Sequence, residues 1–188
     1  LKLIGSKYTV AEGLFFPDTF YFDRNSTDIE LLKTSYNAMQ LKLEKAWQGR
    51  DQNLPYKNSY QALIMASIIE KETGKASERP MIAGVFVNRL RLGMRLQTDP
   101  TVIYGMGLRF DGNIRKKDLS IDTPYNTYTR SGLPPTPIAM PGLASIEAAL
   151  RPAETKALYF VGKGDGSHAF SNNLVEHNRA VVKYQLKK

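Results

Sequence analysis

The stretch ASIIEKETG, residues 66–74, closes an apolar helical run that begins near Ser59 and stops at a glycine. A helix with Ile64, Met65, Ile68 and Ile69 spread over one face has to bury that face, so other elements must pack around it. At about 100° per residue, Glu72 projects near the middle of the same stripe, whereas Glu70 points almost oppositely, beside Leu63 and Ser67. One carboxyl is therefore aimed at apolar surroundings and the other at the polar side of the helix. Among apolar neighbours the charged form of a carboxyl is disfavoured and its pKa rises, so it keeps a proton near neutral pH, as a general acid must. The plainer alternative is a helix-end glutamate that bends into water or pairs with Arg79 or Arg89. Spacing alone leaves both readings open.

The segments on either side predict a helix-dominated α+β chain without internal repeats. Thr27-Asp28-Ile29-Glu30 has capping-box spacing, and the apolar positions Leu31, Leu32, Tyr36, Met39, Leu43 and Trp47 continue a helix to Gly49. Ser77 is a candidate cap for a third helix that carries Ile82, Val85, Phe86, Val87 and Leu90 as far as Gly93. EGLFFPDTFYF, residues 12–22, is aromatic and broken by Pro17, which predicts a loop entering a short strand. From Arg95 to Met140 the chain is rich in Gly, Pro, Thr, Asn and Tyr, and reads as one long irregular region, usually a sign of function in a compact domain. ALYFV (157–161) and SHAFS (167–171) flank GKGDG as a hairpin, and NLVEHNRAVVKYQL closes the chain as an amphipathic helix.

With 188 residues and 42% hydrophobic content, the chain suits one sizeable domain, or one with a small appendage. It contains no cysteine and only two histidines, His168 and His177, so disulfides, thiolate chemistry and a zinc site are not expected. Both histidines read as surface or packing residues, and Trp47 as core. The net charge of +8 raises the question of nucleic acid. Yet the basic residues are scattered through KLEK, RLRLGMR, IRKKD and YQLKK, with no arginine-rich arm or nucleic-acid motif. No nucleic-acid partner is expected.

Several long blocks, in one order along essentially the whole chain, carry a resemblance to a known family. These are EGLFFPDTFYF, ASIIEKET, FVNRLRLGMRLQTDPTVIYGMG (86–107), TPYNTYTRSGLPPTPIAMPG (123–142) and the NNLVEHN near the end. Together they resemble the YceG-like endolytic murein transglycosylases, a match more specific than any single short motif. The resemblance implies a lysozyme-like catalytic domain over residues 26–188. Residues 1–25 would then be the tail of a LysM-like subdomain or an entry segment. Members of that family are bacterial envelope proteins with one N-terminal membrane anchor. The sequence begins at Leu1 with no run near the roughly 18 apolar residues of a membrane span, so a soluble catalytic fragment is expected.

The implied reaction is cleavage of nascent peptidoglycan glycan strands between N-acetylmuramic acid and N-acetylglucosamine, leaving 1,6-anhydro-N-acetylmuramic acid ends. It uses one carboxylic acid, no metal and no organic cofactor. Related enzymes carry that acid at the end of a helix as Glu-Ser. Glu72-Thr73 is similar and Glu70-Lys71 is not, so Glu72 is the expected acid and Glu70 the fallback. Gln97, Thr98, Asp99 and Tyr104, with Tyr125, Asn126, Thr127 and Tyr128, are the polar and aromatic groups expected to bind sugar. Each also has a structural reading: Asp99-Pro100-Thr101 is turn chemistry, Asn126 can satisfy backbone groups, and Tyr125 or Tyr128 can be core. The implied partners are glycan strands and, through the family, peptidoglycan synthases. A binding module that keeps the fold without activity is the alternative.

Overall fold

The computed structural model describes residues 1–186 and is organised around one buried helix. In chain order the helices are α1 (Asp28–Gln48), α2 (Ser59–Glu72), α3 (Arg79–Arg91), α4 (Asp99–Met106), α5 (Lys116–Ser120) and α6 (Leu143–Leu150). A hairpin of β1 (Tyr159–Gly162) and β2 (His168–Ser171) follows, then α7 (Leu174–Val181), which runs into a π-helical turn over Val182–Leu186. The fold is α+β and helix-dominated.

Helix α2 forms because Asn58 caps its start, accepting from the Gln61 amide, and because no Gly or Pro interrupts the run. Every residue from Ala62 to Ile69 is buried, since α1, α3, α4 and α6 all pack against the helix. The polar side expected for α2 is therefore covered. Leu63 and Ser67 are as enclosed as Ile68, and Ser67 Oγ accepts from the Ile138 amide at 3.0 Å.

Helix α1 opens with both halves of the capping box between Thr27 and Glu30. The segment before it forms no strand. Phe16 spends its amide and carbonyl on Ser35 of α1, at 3.1 and 3.0 Å, and Pro17 has no N–H to offer a ladder. Leu14 and Phe16 instead join the core. Ser77 does not cap α3: it lies inside a 3-10 turn, Ala76–Glu78, that leads straight into the helix, with Pro80 in its first turn. The expected irregular region contains α4 and α5. The Asp-Pro that reads as a turn also suits the start of a helix, where the missing proline N–H costs nothing.

Helix α3 carries the segment that leads into the hairpin. Asn88 Nδ2 donates to the carbonyls of Thr155 and Ala157, at 2.8 and 3.2 Å, and Arg89 Nε donates to that of Leu158 at 2.6 Å. The approach is close enough to require Gly84, where a Cβ would stand 2.6 Å from the Ala153 carbonyl oxygen and 2.8 Å from Thr155 Cγ2. Gly84→Ala is expected to cost about 1–2 kcal/mol, because backbone rather than a flexible side-chain tip must move, and a chemical denaturation curve would measure it. β1 and β2 pair antiparallel with Tyr159 opposite Ser171 and Gly162 opposite His168, and Gly164 and Gly166 take positive φ in the turn. α7 packs against both strands.

Candidate active site

Helix α2 ends at Glu72, where extended Thr73 breaks the helical path, and the Glu72 side chain emerges at the floor of an open cleft of about 440 Å³. The Gln97–Asp99 turn and Tyr128 form one side of this cleft, and the hairpin with α7 forms the other. Glu72 is partly buried, and its Oε1 accepts from the Thr98 hydroxyl. Burial pushes its pKa up to about 7; the Thr98 bond and the nearby His168 oppose the rise, and the charge of Asp99 adds to it.

Thr98 is itself held. Its amide donates to Thr127 Oγ1 at 3.1 Å, its carbonyl accepts from Thr101 Oγ1 at 2.7 Å, and the Thr101 and Thr127 hydroxyls meet at 2.8 Å. Next to it, Gln97 sits at φ 52, a left-handed conformation rare outside glycine, fixed by its amide donating to the Thr127 carbonyl at 3.2 Å. Asp99 accepts from the Tyr128 hydroxyl at 2.5 Å. Burial first, and Asp99 second, raise the pKa of that hydroxyl.

Glu70 faces another way. Its carboxylate accepts from the Gly142 amide at 3.1 Å and the Ser145 hydroxyl at 2.6 Å, and pairs with Arg79 at 3.3 Å. It thereby ties the start of α6 to the end of α2 and places a carboxylate beside the first turn of a helix that has no side-chain cap of its own. Arg79, one of the two arginines considered for Glu72, is engaged with Glu70 instead.

Of the eight residues expected to bind sugar, Gln97, Thr98, Asp99 and Tyr128 border the cleft beside Glu72. The other four do not border it. Asn126 is fully buried: its Nδ2 donates to the Leu119 and Ile121 carbonyls and its Oδ1 accepts from the Tyr128 amide, which fixes the turn that carries Tyr128. Thr127 supports Thr98. Tyr104 and Tyr125 pack on each other at 4.8 Å, with the Tyr125 hydroxyl 2.8 Å from Thr136 Oγ1.

The structure adds Arg89, Tyr159, His168 and His177 to the cleft wall. His168 pairs through Nδ1 with Glu78 at 2.7 Å, and its amide donates to the same carboxylate. Only Arg89 carried a usable signal in the sequence. Ile82, Val85, Phe86 and Arg89 follow the i, i+3, i+4, i+7 spacing of a buried face, so the arginine occupies a core position. Among the described residues no group of three or more histidine and acidic side chains lies close enough to hold a metal ion.

Comparison with known proteins agrees with this architecture. The sequence profile of the YceG-like family matches residues 2–183. The endolytic murein transglycosylase of Bacillus subtilis is 42% identical over 174 residues, covering 92% of this chain and 48% of its own length. That of Streptococcus pneumoniae is 33% identical over 190 residues, covering 98% of this chain and 34% of its own. The chain thus spans half or less of the length of these relatives. The crystal structure of a YceG-like protein from Listeria monocytogenes superposes with a TM-score of 0.78 at 38% identity, over 95% of this chain and 59% of that one.

Proposed function

Because the chain belongs to the YceG-like family, we propose that residues 26–188 form the catalytic domain of an endolytic murein transglycosylase. It acts in the bacterial cell envelope on nascent glycan strands, in concert with the synthases that make them, and residues 1–25 serve as the tail of a LysM-like subdomain or as an entry segment. Its relatives' names support the substrate. The observation that carries the chemistry is the Glu72 carboxyl at the floor of an open cleft, its pKa pushed up to about 7 chiefly by burial, while the neighbouring Asp99 is held by Tyr128.

Protonated Glu72 gives its proton to the glycosidic oxygen between N-acetylmuramic acid and N-acetylglucosamine as that bond breaks and positive charge develops on the muramic ring. The carboxylate left behind takes the proton of the same sugar's C6 hydroxyl, whose oxygen closes onto C1. Glu72 ends as it began, no water is consumed, and the muramic acid leaves as the 1,6-anhydro sugar. Two carboxylates flanking the bond, the usual hydrolase arrangement, are not required. Gln97, Thr98, Asp99 and Tyr128 orient the muramic ring over Glu72.

The test is mass spectrometry of uncrosslinked strands after incubation with the protein. New anhydro-muramic ends support the proposal. Reducing ends, heavier by one water, would make the enzyme a hydrolase, and binding without cleavage would make it a recognition module. The pH profile gives a further prediction. Glu72 must be protonated, so kcat/KM falls as pH rises through about 7. Thr98→Val removes the hydroxyl that favours the carboxylate, so the falling limb moves to higher pH. A limb that stays in place would show that another group controls it.

A further inference from the structure

Arg89 is 7% exposed and, among the described residues, forms no salt bridge. A buried guanidinium without a carboxylate is unusual, since burial disfavours its charge and the compensation is normally an acid. Two of its three nitrogens are occupied: Nε by the Leu158 carbonyl, and Nη1 by the carbonyls of Arg95 and Leu96 and the side chain of Gln97. Nη2 makes no hydrogen bond among the described residues. Nη2 is not fully enclosed, and the space that Arg89 borders is the cleft. Close by, His177 borders the same cleft with its Nδ1 buried and unpartnered. The Tyr159 ring touches both side chains, lying 4.9 Å from the guanidinium and 5.2 Å from the imidazole.

We propose that Arg89, with His177 and Tyr159, forms a carboxylate-binding subsite for an acidic group carried on the glycan strand. The proposal rests on the reading above that the strand lies in this cleft. A carboxylate oxygen suits Nη2, the one free nitrogen of a guanidinium whose Nε and Nη1 are fixed by carbonyls, and the preset geometry saves ordering cost on binding. Among the described residues the acids that border the cleft are Glu72 and Asp99, and neither pairs with Arg89. Glu72 is largely protonated below neutral pH, and the carboxylate of Asp99 is engaged by Tyr128. Two sources fit: the lactyl carboxylate of a stem-free muramic acid, or a carboxylate of the peptide stem. Either makes the enzyme a reader of charge on the strand as well as of its sugar rings.

The experiment measures the affinity of the Glu72→Gln protein for stem-bearing and stem-free strands, each with its carboxylates free or converted to methylamides. Salt is held at about 0.15 M, where charges beyond a Debye length of about 8 Å are screened. Free carboxylates are expected to bind at least about tenfold more tightly than capped ones. Loss confined to the stem-bearing pair assigns the stem, and loss in the stem-free pair assigns the lactyl group. In Arg89→Gln the ratio of free to capped affinity collapses toward one. The capping comparison decides the matter even if that variant does not fold, since it changes only the ligand. Free and capped strands that bind alike overturn the subsite. If the unaltered protein still cleaves them, the transglycosylase reading survives; strands neither bound nor cut overturn both.

Discussion

Replacing Glu72 by glutamine is expected to slow the appearance of anhydro-muramic ends by roughly a hundred- to ten-thousand-fold, the usual worth of a positioned general acid–base group. Glutamine keeps the size of the side chain, and its carbonyl can still accept from Thr98, so the floor of the cleft is preserved. What is lost is the proton that the leaving oxygen takes and the base that recovers it. Strand binding should survive, which separates a chemical defect from a binding one. Anhydro ends formed at an undiminished rate would remove Glu72 from the mechanism altogether.

Glu70→Ala is expected to give the opposite pattern: a loss of about 2–3 kcal/mol in stability with cleavage per folded molecule largely kept. Its carboxylate is the shared partner of the Gly142 amide, the Ser145 hydroxyl and Arg79, and truncation leaves all three short of an acceptor. Because the site is partly exposed, water recovers some of that loss. For a chain of this size the change lowers the melting temperature by roughly 5–10 °C, which a thermal scan would detect. An unaltered melting temperature with turnover abolished would exchange the parts assigned to the two glutamates.

How far the sequence foretold this arrangement depended on how local each determinant was. α1, α2 and the hairpin announce themselves through caps, periodicity and glycines within a few residues of each other. The divergence of Glu70 and Glu72 was legible too, because two residues on a helix turn the side chain by about 200°. Where Glu70 went was not: its partners lie 72 and 75 positions further on. Nothing within α2 distinguishes a side chain facing water from one facing the start of another helix. α4 and α6, at eight residues each, are too short for periodicity to separate them from loops, and Asp-Pro hid the first of them. Gln97, Thr98 and Asp99 reach the cleft because the turn after α3 delivers them together. Tyr104 and Asn126 share their polar, aromatic composition but spend it on packing and on backbone carbonyls. Arg89, His168 of the hairpin and His177 of α7 belong to elements whose pattern reads as core or surface, so their meeting at the cleft is a product of tertiary packing alone.

The hairpin that forms one side of the cleft has only two strands, too few to hold a shape in water unaided. Its position comes from α3, through Asn88 and Arg89, and from α7, which packs against both strands. In terms of local opening, the hairpin and α3 belong to one cooperative unit, and a fluctuation that frees the ribbon must first break bonds to a helix buried in the core. The width of the cleft is therefore not an independent degree of freedom, since changing it on this side means parting the chain from α3.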